Sequence, residues 1–130
     1  MDALSGLSIL VVDDYPDSAL SMAALLKIHG HHARFATNGQ EAIRLFISEP
    51  ADLVLLDLGL PGMSGYEVAI RIRELMPSRR PTIIAITGLS DFNPGTPPEA
   101  AGIDHFLLKP VAMNEFWALI SRIHAATHDG

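Results

Sequence analysis

Leu53-Val54-Leu55-Leu56-Asp57-Leu58-Gly59-Leu60-Pro61-Gly62-Met63-Ser64-Gly65 is an apolar run that ends in a carboxylate and passes into a glycine-rich loop. An unbroken aliphatic run suits a strand covered on both faces, the mark of a parallel sheet lying between helices. The glycines let backbone come close to a ligand. Asp57 then stands at the carboxyl end of a buried strand, where open α/β sheets bind their ligands, and is read as a nucleophile.

Strand-like and helix-like segments alternate outward from this point. Ser8–Val12, His32–Ala36, Ala51–Leu56, Thr82–Ile86 and Ile103–Leu108 read as strands. A helix over Asp17–His29 repeats Ala19, Met22, Ala23 and Leu26 and stops at Gly30. Further helices follow Asn38 and Gly65, and a last one places Met113, Phe116, Trp117, Ile120 and Ile123 on one stripe. Returning to a parallel strand requires a crossover, so the order implies a five-stranded parallel sheet with helices on both faces, an α/β class. The second strand alternates His32 and Arg34 with Ala33 and Phe35, which places it at an edge with one face partly wet. One helix is missing from the pattern: between Gly88 and Gly102 stand Pro94, Gly95, Pro97 and Pro98. Each interior proline costs a helix roughly 3 kcal/mol, so the fourth helix is expected to be broken or replaced by a loop, with at most a short turn at Pro97–Ala101.

The chain has 130 residues, 48% of them hydrophobic, a size that suits one domain over residues 1–130. The longest apolar runs are strand-length, which argues against a membrane span. No Lys or Arg precedes Lys27, so the basic start of a secretory signal is missing, and cysteine is absent, which fits the cytoplasm. The net charge of -6 repels nucleic acid and anionic membranes. His29, His31 and His32 are read as surface structure ahead of a metal site.

Asp13 and Asp14 follow the first strand, Asp57 the third, Thr87 ends the fourth, and Lys109 follows the fifth. In a parallel sheet these ends share one edge. Singly, Asp13 and Asp14 could cap a helix starting near Pro16, and Thr87 or Lys109 could be ordinary strand-end residues. Jointly they make a site. Carboxylates about 5 to 6 Å apart repel by roughly 3 kcal/mol per pair at an effective dielectric near 20, so a cation belongs among them. An all-oxygen donor set favours Mg²⁺, which binds through a few carboxylates and a phosphate. Lys109 and the Thr87 hydroxyl would hold the remaining phosphoryl oxygens.

Val11-Val12-Asp13-Asp14, Leu56-Asp57 with the loop to Gly65, Ile86-Thr87-Gly88 and Phe106-Leu107-Leu108-Lys109-Pro110 together resemble the receiver domain of two-component response regulators. The resemblance covers nearly the whole chain. It implies a flavodoxin-like, doubly wound sheet of order 2-1-3-4-5, with Asp57 the phosphoacceptor for a sensor histidine kinase or a histidine phosphotransfer protein. It further implies that Asp14, Asp57 and the Gly59 carbonyl ligate Mg²⁺, with Asp13 acting through water. Thr87 and Phe106 would form the switch, and Lys109-Pro110 would be a cis peptide. The chain would not be an enzyme beyond its own phosphorylation and dephosphorylation.

A nucleotide site fails, because the glycines follow neither G-x-G-x-x-G nor a Gly-Lys-Ser/Thr ending. A Mg-dependent phosphatase and a receiver-like interaction module that never takes phosphate remain as alternatives. The twenty or so residues after Lys109 leave no room for an effector domain, so signalling by protein contact is expected.

Overall fold

The computed structural model describes residues 6–75, 80–88 and 97–129. Five strands, β1 (Ser8–Val12), β2 (His32–Ala36), β3 (Leu53–Leu56), β4 (Thr82–Thr87) and β5 (His105–Leu108), form one parallel sheet in the order β2-β1-β3-β4-β5. Four helices cover it: α1 (Pro16–Ile28), α2 (Gly39–Ser48), α3 (Gly65–Leu75) and α4 (Met113–Asp129). Between β4 and β5 the described chain forms only a 3₁₀ turn, Pro98–Ala101, as the prolines require. Residues 89–96, on which the expectation of a loop also falls, lie outside the described set.

Because strand side chains alternate between faces, the core divides in two. Leu10, Val12, Val54, Leu56 and Ile83 point toward Phe46 of α2 and Val68 and Ile72 of α3. Ile9, Val11, Leu53, Leu55 and Ile84 meet Ala19, Ala23 and Leu26 of α1 and Phe116 and Ile120 of α4. A strand apolar at every position, such as β3, is what two covered faces demand.

Local chemistry sets the element ends. Pro16 opens α1 at a position where its missing N–H costs nothing, and Gly30, at φ 91°, closes the turn after it. The Glu41 amide donates to Asn38 Oδ1 at 2.8 Å to begin α2. Ser64 and Glu67 form a reciprocal capping box at α3: the Glu67 amide donates to Ser64 Oγ and the Ser64 amide to Glu67 Oε1.

Several expectations shift. β3 begins at Leu53 and β5 at His105, two residues later than expected, while β4 reaches Thr87. At the late starts, Asp52 and Asp104 turn their carboxylates onto neighbouring strand amides, Ser8 and Ile83 respectively. Phe35, expected to share an inner face with Ala33, is 36% exposed, since the edge strand reaches past its helical cover and only Ala33 and Ala36 are buried. On α4 the buried stripe is Phe116, Leu119, Ile120 and Ile123; Trp117 is partly buried against the same core and stacks on His29 at 3.8 Å, while Met113 is exposed.

Asp104 knots the amino edge of the sheet. Its carboxylate accepts from Arg73 Nη2, Arg80 Nη1 and the Ile83 amide, each at 2.8 Å. Arg73 also donates to the carbonyls of Gly102 and Pro81, which ties α3 to the segments that lead into β5 and β4. Burial alone would raise the Asp104 pKa, but the Ile83 amide and the two guanidinium groups outweigh it and hold the carboxyl below its ordinary value. Replacing Asp104 by Ala is expected to cost about 2 to 3 kcal/mol in urea unfolding, the loss of charge-assisted bonds plus a stranded Arg73.

His31 secures the start of β1. Its Nδ1 accepts the Leu7 amide at 3.0 Å, which only a neutral ring with the proton on Nε2 can do. Burial, with His124 and His29 close by, lowers its pKa. A lowered folded-state pKa means stability that is complete above the unfolded value of about 6.5 and lost as pH falls through the folded one. The melting temperature of the wild type should therefore drop between about pH 7 and pH 5 more than that of His31→Asn, whose Oδ1 accepts without titrating.

Candidate functional site: an acidic mouth at the carboxyl edge

The topology places β1 and β3 side by side at the centre of the sheet, so the residues that follow them meet. The Asp57 amide donates to the Val12 carbonyl at 3.0 Å, which fixes the start of the Asp57 loop against the start of Asp13 and Asp14. Oxygens of Asp13, Asp14 and Asp57 all lie within 4.8 Å of one another, the one such cluster of potential ligand groups among the described residues. Asp57 is buried, Asp13 half-buried and Asp14 exposed. The three histidines near residue 30 do not converge: beyond His29 and His31, His32 pairs with Glu49 at 3.2 Å.

Neither acid caps α1. Tyr15 is the N-cap residue and makes no side-chain capping bond, while Asp13 Oδ1 accepts the Tyr15 amide at 3.0 Å in a local turn. Asp14 is left to face the mouth. Burial raises the Asp13 pKa, and the carboxylates of Asp57 and Asp14 add to the rise against the Tyr15 amide and Lys109. Burial and crowding together penalise ionisation of Asp13, a penalty a cation would relieve.

Asp57 is held from two sides. Lys109 Nζ donates to Oδ2 at 3.0 Å and the Gly59 amide to Oδ1 at 2.9 Å. Lys109 comes in from the end of β5, its amide bonded to the Thr87 carbonyl at 2.9 Å, and the Lys109-Pro110 peptide is cis. Its side chain is 45% exposed against 9% for Asp57, so the pair joins a sheltered carboxylate to an accessible cation. Thr87 is fully buried, with no hydrogen-bond partner for Oγ1 among the described residues. Such an unsatisfied hydroxyl at a strand end is costly and wants an acceptor. Phe106 sits opposite Ala85 on β5, partly buried against the α2 and α3 side of the core.

A cavity of about 300 Å³ opens at this mouth, with Asp13, Ser18, Asp57 and Lys109 among its polar walls and Val11 and Met22 among its apolar ones. The donor set fits Mg²⁺: hard oxygens only, in a span not far above the roughly 4.2 Å between opposite ligands of an octahedral ion, with room for water. The Gly59 amide, whose bond to Asp57 the sequence did not suggest, orients the carboxylate while leaving the Gly59 carbonyl for other work.

The fold and this mouth together define a receiver. The chain belongs to the response regulator receiver domain family, whose profile matches residues 9–121. It is 37% identical over 123 residues to the sensory transduction protein RegX3 of Mycobacterium tuberculosis, covering 95% of this chain and 52% of that protein. It is 32% identical over 118 residues to the transcriptional regulatory protein KdpE of the same organism, covering 91% of this chain and 50% of that one. The chain thus spans about half the length of both. Among solved structures, a CheY-like receiver domain protein from Methanospirillum hungatei matches with a TM-score of 0.82 and 26% identity, over 97% of this chain and 100% of that one. The acidic cluster is the kind of pocket in which receiver domains typically hold Mg²⁺.

A cation that binds only the folded mouth stabilises it by RT ln(1 + [L]/Kd), about 1.4 kcal/mol at ten times Kd. Adding millimolar Mg²⁺ should raise the melting temperature of the wild type and leave that of Asp14→Ala unmoved. A wild-type transition indifferent to Mg²⁺ would show that the acids do not form an ion site.

Proposed function

We propose that this receiver takes a phosphoryl group onto Asp57 from a phosphohistidine of a sensor histidine kinase or histidine phosphotransfer protein, and signals by protein contact. The observation that carries the reading is the sheltered Asp57 carboxylate, clamped by Lys109 at 3.0 Å within reach of Asp13 and Asp14. One carboxylate oxygen of Asp57 forms the new O–P bond while the P–N bond to the donor imidazole breaks, and the imidazole leaves with a proton taken from solvent. Asp14, Asp57 and the Gly59 carbonyl would hold Mg²⁺, with Asp13 acting through water, and the ion would neutralise charge on the incoming phosphoryl oxygens. Lys109 places its positive charge beside the transferred group, and the Thr87 hydroxyl gains an acceptor. The chain acts on itself alone, as phosphoacceptor and as the site of the later hydrolysis.

Output follows from the Thr87 hydroxyl turning toward the phosphoryl oxygen. Phe106, two residues after Asp104 on the neighbouring strand, follows by repacking, and its phenyl ring has no hydroxyl to report the state by hydrogen bonding. The net charge of -6 favours a protein partner over nucleic acid or membrane, and among the described residues no helix is long and apolar enough to cross a membrane. One receiver domain working in the cytoplasm is the setting in which this chemistry would operate.

Incubation with acetyl phosphate and Mg²⁺ should add one phosphoryl group, seen by intact mass, and Asp57→Ala should take none. A folded wild-type sample whose mass stays unchanged would refute the reading. Lys109→Ala should retain Mg²⁺ binding and lose most of the phosphorylation rate, since it removes a charge from the transferred group and not an ion ligand.

A further inference from the structure

Gly65 opens α3, yet its backbone does not need a glycine: the described glycines with positive φ are Gly30, Gly62 and Gly102. Gly is a poorer helix former than Ala, so helix propensity does not call for the residue present. Contact explains it. A Cβ on Gly65 would stand 2.6 Å from the Asp57 carbonyl oxygen, 2.6 Å from Leu58 Cα and 2.9 Å from Leu58 Cδ2. The first two are backbone atoms that no rotamer change can move. Since side-chain carbons essentially never approach closer than 3.0 Å, a methyl there would drive α3 and the Asp57-Leu58 peptide apart by at least about 0.4 Å.

We propose that Gly65 is a positioning residue for Asp57, letting the first turn of α3 rest directly on the peptide that carries the phosphoacceptor. The proposal deepens, and rests on, the reading of Asp57 as phosphoacceptor. Asp57 is fixed on its other side by the bond from its own amide to the Val12 carbonyl, so the residue is held between β1 and α3. The Gly65 amide lies 3.3 Å from the Leu58 carbonyl it donates to, and the Ser64–Glu67 capping box immobilises the same turn. The carboxylate is thereby aimed at the Lys109 ammonium and the two acids before any ligand arrives. Moving this peptide alters the geometry at Asp57 without removing any group that binds ion or phosphate. A misplacement near 1 Å can cost about a hundredfold in rate, so a shift of a few tenths is worth about tenfold.

The test compares wild type with Gly65→Ala. The variant should melt cooperatively, bind Mg²⁺ with a raised Kd, and be phosphorylated by acetyl phosphate about tenfold more slowly at saturating donor and Mg²⁺, with the donor concentration for half-maximal rate unchanged. Beryllofluoride, which mimics the phosphoryl group, should give a weaker or displaced bound ¹⁹F resonance. Adding Leu58→Ala removes only the side-chain contact, so the double variant should recover nothing relative to Leu58→Ala alone. A wild-type rate and Mg²⁺ affinity in Gly65→Ala would overturn the proposal, as would recovery in the double variant. Loss of the cooperative transition would overturn it too, by showing a role in folding at large. Should the wild type itself take no phosphate, the phosphoacceptor reading fails, and the Mg²⁺ comparison alone decides whether Gly65 positions the acidic mouth.

Discussion

Like-charge repulsion is the constraint around which the molecule is arranged. Three carboxylates with oxygens within 4.8 Å of one another do not assemble spontaneously. They are forced together by backbone: β1 and β3 lie adjacent at the centre of the sheet, and both are buried on two faces by residues such as Val11, Val12, Leu55 and Leu56. The hydrophobic burial of these strands, at about 25 cal/mol for each Å² of apolar surface removed from water, holds the acids where electrostatics alone would separate them. Lys109 reduces the repulsion at Asp57, and at Asp13 burial first, then the Asp57 and Asp14 carboxylates, raise the pKa.

The topology was legible because its signals are local and redundant. Continuous apolar runs at Ser8–Val12 and Leu53–Leu56, the stop at Gly30 and the punctuation at Asn38 and Gly65 each fix an element. Within the described residues 97–102, the prolines likewise foretold the short 3₁₀ turn at Pro98–Ala101. The grouping of Asp13, Asp14, Asp57, Thr87 and Lys109 then follows from strand order, since all five follow or end strands of one parallel sheet.

What the sequence concealed depends on three-dimensional neighbours. Asp104 falls inside the expected strand Ile103–Leu108, and nothing in its surroundings along the chain names Arg73 and Arg80 as partners. His29 and His31 read as surface structure, and the contacts they make there, His29 stacking on Trp117 and His31 accepting the Leu7 amide, are not visible along the chain. Phe35 fits the alternation of a half-buried strand, but the sheet's edge extends past its cover. Gly65 looked like punctuation before a helix, and its close approach to the Asp57 peptide appears only when α3 is docked. In each case the pattern gave the element and packing gave the role.

The Asp104 knot joins α3, β4 and the approach to β5 at the edge of the sheet opposite the acidic mouth. The contacts that lock α3 to the strands thus gather at one margin, while Asp57, Thr87 and Lys109 stand at the other. Register and chemistry are assigned to opposite ends of the same strands, so the groups that tie the sheet together are not the groups that line the mouth.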